Sequence, residues 1–173
     1  MVRRHDGPAG GAGRDSGGLI RALLLAAALV LAPVAAAAQT LTVTNGEGRV
    51  TTFTAATLAD LPRGTAKLAG KTAYEGVDLT SVLREAAVPQ GPRLHGKPLV
   101  AYVVVTGKDG YRAVFSIAEL DPAFRPGAAI LADRRVGAPL ENNEGPWRLV
   151  VEADAKPERS VRQVESITVT VLP

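Results

Sequence analysis

Four arginines and one carboxylate carry most of the chemical promise in this chain. Arg134 and Arg135 stand together in "LADRRVGAP", Arg112 follows the Asp-Gly-Tyr of "KDGYRAV", and Arg148 follows the only tryptophan in "ENNEGPWRLVVE". Guanidinium forks match carboxylate and phosphate oxygens in pairs, so two arginines at a turn suit an anionic ligand. The plain alternative is a solvated corner in which Asp133 ties down one of them. Glu144 lies four residues before Arg148, across the Gly145-Pro146 turn, and an ion pair between them requires no catalytic role. Asn142 and Asn143 read as the turn itself, since asparagine tolerates left-handed backbone. Trp147 reads as a core or rim anchor.

The missing residue types exclude more than the present ones supply. With no cysteine there is no disulfide, thiolate nucleophile, thiolate metal ligand or lipidated N-terminal cysteine. Two histidines, His5 and His95, cannot build a histidine-rich metal site. His95, in "RLHGKP", has no acidic neighbour and reads as an exposed loop residue. Of Tyr111 and Arg112, strand alternation leaves one for the core and one for water.

Residues 1–38 have the layout of a secretory leader: Arg3, Arg4, Arg14 and Arg21, then an apolar run over residues 22–32, then Ala36-Ala37-Ala38. Cleavage before Gln39 is expected, giving a periplasmic or secreted domain over residues 39–173 with no membrane attachment. The apolar stretch is at the bottom of the spanning range, which disfavours an anchor. Arg3-Arg4 is followed by His5-Asp6-Gly7-Pro8, far from the apolar run, so export in the unfolded state is expected rather than twin-arginine transport. The net charge of +3 comes largely from the leader, and a nearly neutral domain argues against nucleic acid as a partner.

The elements that must position the arginines are short. "TLTVTNGEGRVTTFT" reads as a hairpin whose Asn-Gly supplies positive φ angles, and "TAKLAGKTAYEGV" as two strands around Gly70. "DLTSVLREAAVP" reads as a helix capped by Asp78, burying Leu79, Val82, Leu83, Ala86 and Ala87 and stopped by Pro89. "LVAYVVVTG" lacks polar alternation and is expected to be covered on both faces. Ser116 and Glu119 have capping-box spacing. "VESITVTVL" is a last strand, at the edge of the sheet or sealing it. About eight short strands and two or three short helices make an α+β fold with a mixed, mostly antiparallel sheet.

The order of the pieces adds a further reading. "YEGVDLTSVLREAAV", "YVVVTGKDGYRAVFSIAELDP", "ILADRRVGAPLENNEGPWRLVVE" and "VRQVESITV" together resemble the oxidoreductase molybdopterin-binding domain of the sulfite-oxidase family. In that family a G-V-x-L helix precedes a strand ending in D-G-Y, then an H-G-x-P-x-R-L-V-V-P segment. The resemblance implies cofactor contacts at Arg112, Arg134, Arg135, Asn143, Glu144 and Arg148, and a pterin or other anionic small molecule as ligand. It also implies a cysteine thiolate holding molybdenum upstream of the helix, within residues 63–73, where this chain has none. Glu144 stands where the family has a histidine, and a carboxylate there would repel a pterin phosphate. The resulting expectation is an exported, non-catalytic binding or accessory module, with a periplasmic redox protein as partner. Two alternatives stand beside it: an oxidoreductase with an oxygen ligand to molybdenum, or a structural subunit of a redox complex, which would show an exposed apolar patch and no polar pocket.

Overall fold

The computed structural model describes residues 39–173, so the leader expected over residues 1–38 lies outside the described residues. In chain order the first elements are β1 (Thr40–Thr44), β2 (Val50–Thr54), helix α1 (Ala55–Ala59), β3 (Arg63–Leu68), β4 (Thr72–Asp78) and helix α2 (Leu79–Glu85). They continue as β5 (Ala101–Gly107), β6 (Arg112–Ser116), β7 (Ala129–Arg135), β8 (Ala138–Pro139), β9 (Arg148–Val151) and β10 (Val164–Val171). The first sheet runs β2-β1-β10-β5-β6; the second runs β3-β4-β7-β8, with β9 also pairing β7. Every pairing is antiparallel except β1 with β10. This is the expected α+β architecture, with ten strands among the described residues where about eight were read, the difference lying in very short strands such as β8.

Local chemistry explains the turns. The first hairpin forms as expected, but its positive φ falls at Gly48 (81°), and the Asn45 side chain closes the loop by accepting from the N–H groups of Glu47 and Arg49, both at 3.0 Å. Two other hairpins turn on paired left-handed residues, Ala69-Gly70 and Val136-Gly137, the geometry of a two-residue type I′ loop. Asp78 caps α2 by accepting from the Ser81 N–H at 3.0 Å and from the Thr80 and Ser81 hydroxyls at 2.5 and 2.8 Å. Asp78→Ala is expected to destabilise the domain by about 1–2 kcal/mol, measured as a lower urea midpoint at unchanged slope.

The main core lies between the sheets and under α2: Leu41 and Val43, Val103 and Val105, Ile167 and Val169 from one side meet Leu131, Leu149 and Val151 from the other. A second, small cluster of Ala66, Tyr74, Ile130, Ala132 and Val150 lies on the opposite face of the second sheet. All four residues of β9 are therefore buried, Leu149 and Val151 towards the main core and Val150 towards the small cluster.

Several expectations need correction. β5 is not covered on both faces: buried and half-buried positions alternate along it, because the first sheet packs the main core on one side only. β9 is the doubly covered strand. β10 is neither edge nor seal but the central strand of its sheet, between β1 and β5. Helix α2 stops at Glu85, well before Pro89; Ala87 adopts φ 60° and is exposed, with the Val88 N–H reaching back to the Leu83 carbonyl at 2.9 Å.

Candidate functional site

Sheet register decides which of the chemically promising residues meet. Tyr74 on β4 is the cross-strand partner of Arg135 on β7, and Ala132 on β7 is the partner of Arg148 at the start of β9. Alternation along β9 sends Arg148 to the same side as Val150, the side of Tyr74. Tyr74 thus stands between two arginines from different strands.

Arg148 is 4 % exposed and bonded through Nε and Nη1. Its Nη1 donates to Glu144 Oε1 and, at 3.2 Å, to the Tyr74 hydroxyl. Its Nε donates to Ser160 Oγ at 2.8 Å, and that hydroxyl donates onward to the Leu149 carbonyl at 2.5 Å. The guanidinium carbon lies 5.4 Å from the centre of the Tyr74 ring, within cation–π range. The other oxygen of the buried Glu144 carboxylate, Oε2, accepts no hydrogen bond; Arg135 Nη1 stands 3.7 Å from it. Arg135 also donates to the exposed Glu141 at 2.6 Å. Tyr74, then Glu144 and Glu141, hold the Arg135 guanidinium above its ordinary range. Two cations and two carboxylates make the cluster electrically neutral.

The remaining sequence candidates fall outside this cluster. Arg134 is exposed and donates to the Gly137 carbonyl in its own turn at 3.2 Å. Asp133 ties down neither Arg134 nor Arg135 but Arg63 on β3, in a bidentate pair at 2.6 and 2.9 Å. Arg112 is exposed on β6, the edge strand of the other sheet, and Tyr111 beside it is 48 % exposed, so neither enters the core. Asn142 and Asn143 are exposed in a turn without left-handed residues; the Glu144 and Gly145 N–H groups both donate to the Glu141 carbonyl at 2.9 Å. The Gly145-Pro146 peptide is cis. Trp147 is a core residue, 3 % exposed, and with Pro146, Lys108, Gln163 and Glu165 it lines a groove of 390 Å³ of mixed polarity. His95 is exposed as expected.

Sequence reasoning missed Tyr74 and Ser160 as partners of Arg148. Tyr74 is flagged only by its place in "YEGV", and Ser160 by nothing local. It also missed a closed ring of charges. Arg159 bonds Asp154 at 2.5 and 3.1 Å and Glu119 at 3.2 Å, while Arg125 bonds Glu119 at 3.2 Å and approaches Asp154 at 3.8 Å. Arg159 also lies 4.4 Å over the Phe115 ring. Burial pushes the Glu119 carboxyl up, but the Ser116 N–H and the Arg159 guanidinium outweigh it and hold the group below its ordinary 4.5. The contribution of the Glu119 carboxylate to stability is therefore complete above 4.5 and is lost as pH falls through the lower folded value. The stability gap between wild type and Glu119→Gln is expected to stay constant from neutrality down to about 4.5 and to shrink as pH falls from there through the lower folded value, read from urea midpoints across pH.

Two sheets packed on one core, with a single parallel pairing of β1 and β10, form the scaffold that buries Arg148 at the first residue of β9. The chain belongs to the oxidoreductase molybdopterin binding domain family, whose model matches residues 36–172. Among solved structures it is similar to the sulfane dehydrogenase SoxCD from Paracoccus pantotrophus, with TM-score 0.59 and 19 % identity, over 76 % of this chain and 38 % of that one. At that identity the likeness is one of fold, and the chain spans well under half the length of its counterpart. No curated protein matches.

The residues present do not fit a thiolate-held molybdenum centre. Residues 63–73 offer side-chain oxygen only from Thr65 and Thr72, with no thiolate, carboxylate or imidazole. Among the described residues no group of three or more His, Cys, Asp or Glu side chains could hold a metal ion. Arg148, which the resemblance assigns to an anion, already has its anion in Glu144.

Proposed function

We propose that this chain is an exported, non-catalytic accessory module on a molybdopterin-binding scaffold, working in the periplasm beside a redox protein. The observation that carries this reading is the buried Glu144–Arg148 pair in a chain without cysteine. The scaffold keeps the arginine but neutralises it from within, and a buried guanidinium already matched by a carboxylate has no net charge to offer a phosphate. The leader pattern supports export, and among the described residues no helix is long and apolar enough to cross a membrane. The fold likeness to a sulfane dehydrogenase, SoxCD, supports a redox partner.

The test is the protein purified from its native compartment with its own leader. Molybdenum by elemental analysis and pterin fluorescence after denaturation are expected to be far below one per chain. Stoichiometric molybdenum together with turnover of an oxo-acid would overturn the reading. Export is expected to persist when twin-arginine transport is blocked, and its loss under that block would count against unfolded export.

A further inference from the structure

We propose that Glu144 is a built-in occupant of an anion site, and that the space its carboxylate fills, between Arg148, Arg135 and the Tyr74 hydroxyl, takes a small oxoanion or carboxylate once that side chain is removed. Two guanidinium groups from different strands converge there, Arg148 Nη1 on Oε1 and Arg135 Nη1 at 3.7 Å from Oε2, and the Tyr74 hydroxyl accepts from the same Arg148 Nη1 at 3.2 Å. The carboxylate fills this space imperfectly. Its Oε2 is out of contact with water and accepts no hydrogen bond, a costly arrangement for an ionised oxygen. It is held there by charge from two sides, and a free anion able to rotate and translate can satisfy more of the same donors.

The way in is Arg135, 39 % exposed and tethered on its outer side only by the exposed Glu141. The intact chain keeps anions out because the loop carrying Glu144 is pinned. Its N–H donates to the Glu141 carbonyl and its own carbonyl accepts from the Gln163 N–H, both at 2.9 Å. A loop held on both sides cannot swing the carboxylate away, so the occupant leaves only by substitution. This inference stands on geometry and does not depend on the accessory role: molybdenum loading would sink that role and leave the following titration unchanged.

The experiment is thermal unfolding of the full chain at neutral pH, titrated with sodium phosphate or sodium acetate against sodium chloride of equal ionic strength. Four proteins are compared: wild type, Glu144→Ala, Glu144→Gln, and Glu144→Ala combined with Arg148→Met. Glu144→Ala is expected to melt below wild type and to regain several degrees, saturably, in phosphate or acetate, as binding to the folded state alone requires. Wild type and the double variant are expected to move no more than in chloride. Glu144→Gln, which removes the charge without opening the space, is expected to behave like wild type in this respect. No saturable response in folded Glu144→Ala overturns the proposal, as does an equal response in wild type, Glu144→Gln or the double variant. Should Glu144→Ala fold only with added anion, refolding in phosphate but not in chloride supports the proposal, and failure in both overturns it.

Discussion

Gly76→Ala is expected to cost about 3 kcal/mol or more, or to prevent folding altogether, although it adds a single methyl group. β4 and β7 shift register at Glu75/Gly76, and the bulge draws the two backbones together. A Cβ on Gly76 would meet the Leu131 carbonyl oxygen at 2.1 Å and the Ala132 Cα at 2.4 Å. Both are backbone atoms in the middle of a sheet, so no side-chain rotation relieves the overlap; β4 must part from β7. The damage reaches the candidate site directly, because this register places Tyr74 beside Arg135, and Ala132, opposite Gly76, is in turn the β9 partner of Arg148. Gly70→Ala is the control. Gly70 has φ 69° and open space around it, so only left-handed strain remains, about 1 kcal/mol. Urea unfolding of both variants checks the contrast, and equal losses would show that the bulge is not a close approach.

Gly76 also shows how far the sequence could be read. Its place in "YEGVDL" marks a family motif, but only register reveals that its hydrogen faces the Leu131 carbonyl. Hairpins, the Asp78 cap and the Ser116–Glu119 capping box were legible because each is decided within four or five residues. The coverage of β5 and the place of β10 were not, because an apolar run looks the same whether one face or both are packed; the partner sheet decides. The ion pair Glu144–Arg148 was visible as a spacing, while its burial was not. Burial comes from β9 being covered on both faces, which depends on β3, β4 and β7, up to about eighty residues upstream. Asp133 pairing with Arg63 rather than its sequence neighbours has the same cause: its partner lies on β3, 70 residues upstream.

Arg148→Met is expected to destabilise the domain by about 3–5 kcal/mol, the range for breaking a buried ion pair from one side. Methionine replaces the volume of the stem, but Glu144 is left as a buried charge whose remaining neighbour, Arg135, stands 3.7 Å away without a hydrogen bond. Ser160 Oγ also loses its donor, though it keeps its own bond to the Leu149 carbonyl. Glu144→Gln combined with Arg148→Met removes both charges and is expected to recover most of the loss, since a neutral amide in that space needs no counter-charge. The double-mutant cycle isolates the pair from the packing of the stem. Tyr74→Phe, which removes one hydrogen bond to Arg148 and keeps the ring under the guanidinium, is expected to cost only about 1 kcal/mol. The ordering of these three decides between two views of Arg148. An exposed pair contributes less than about 1 kcal/mol, and an arginine of that kind remains free to leave its carboxylate for a ligand. A coupling of several kcal/mol means that a ligand would have to replace the whole of that interaction before it gained anything from Arg148.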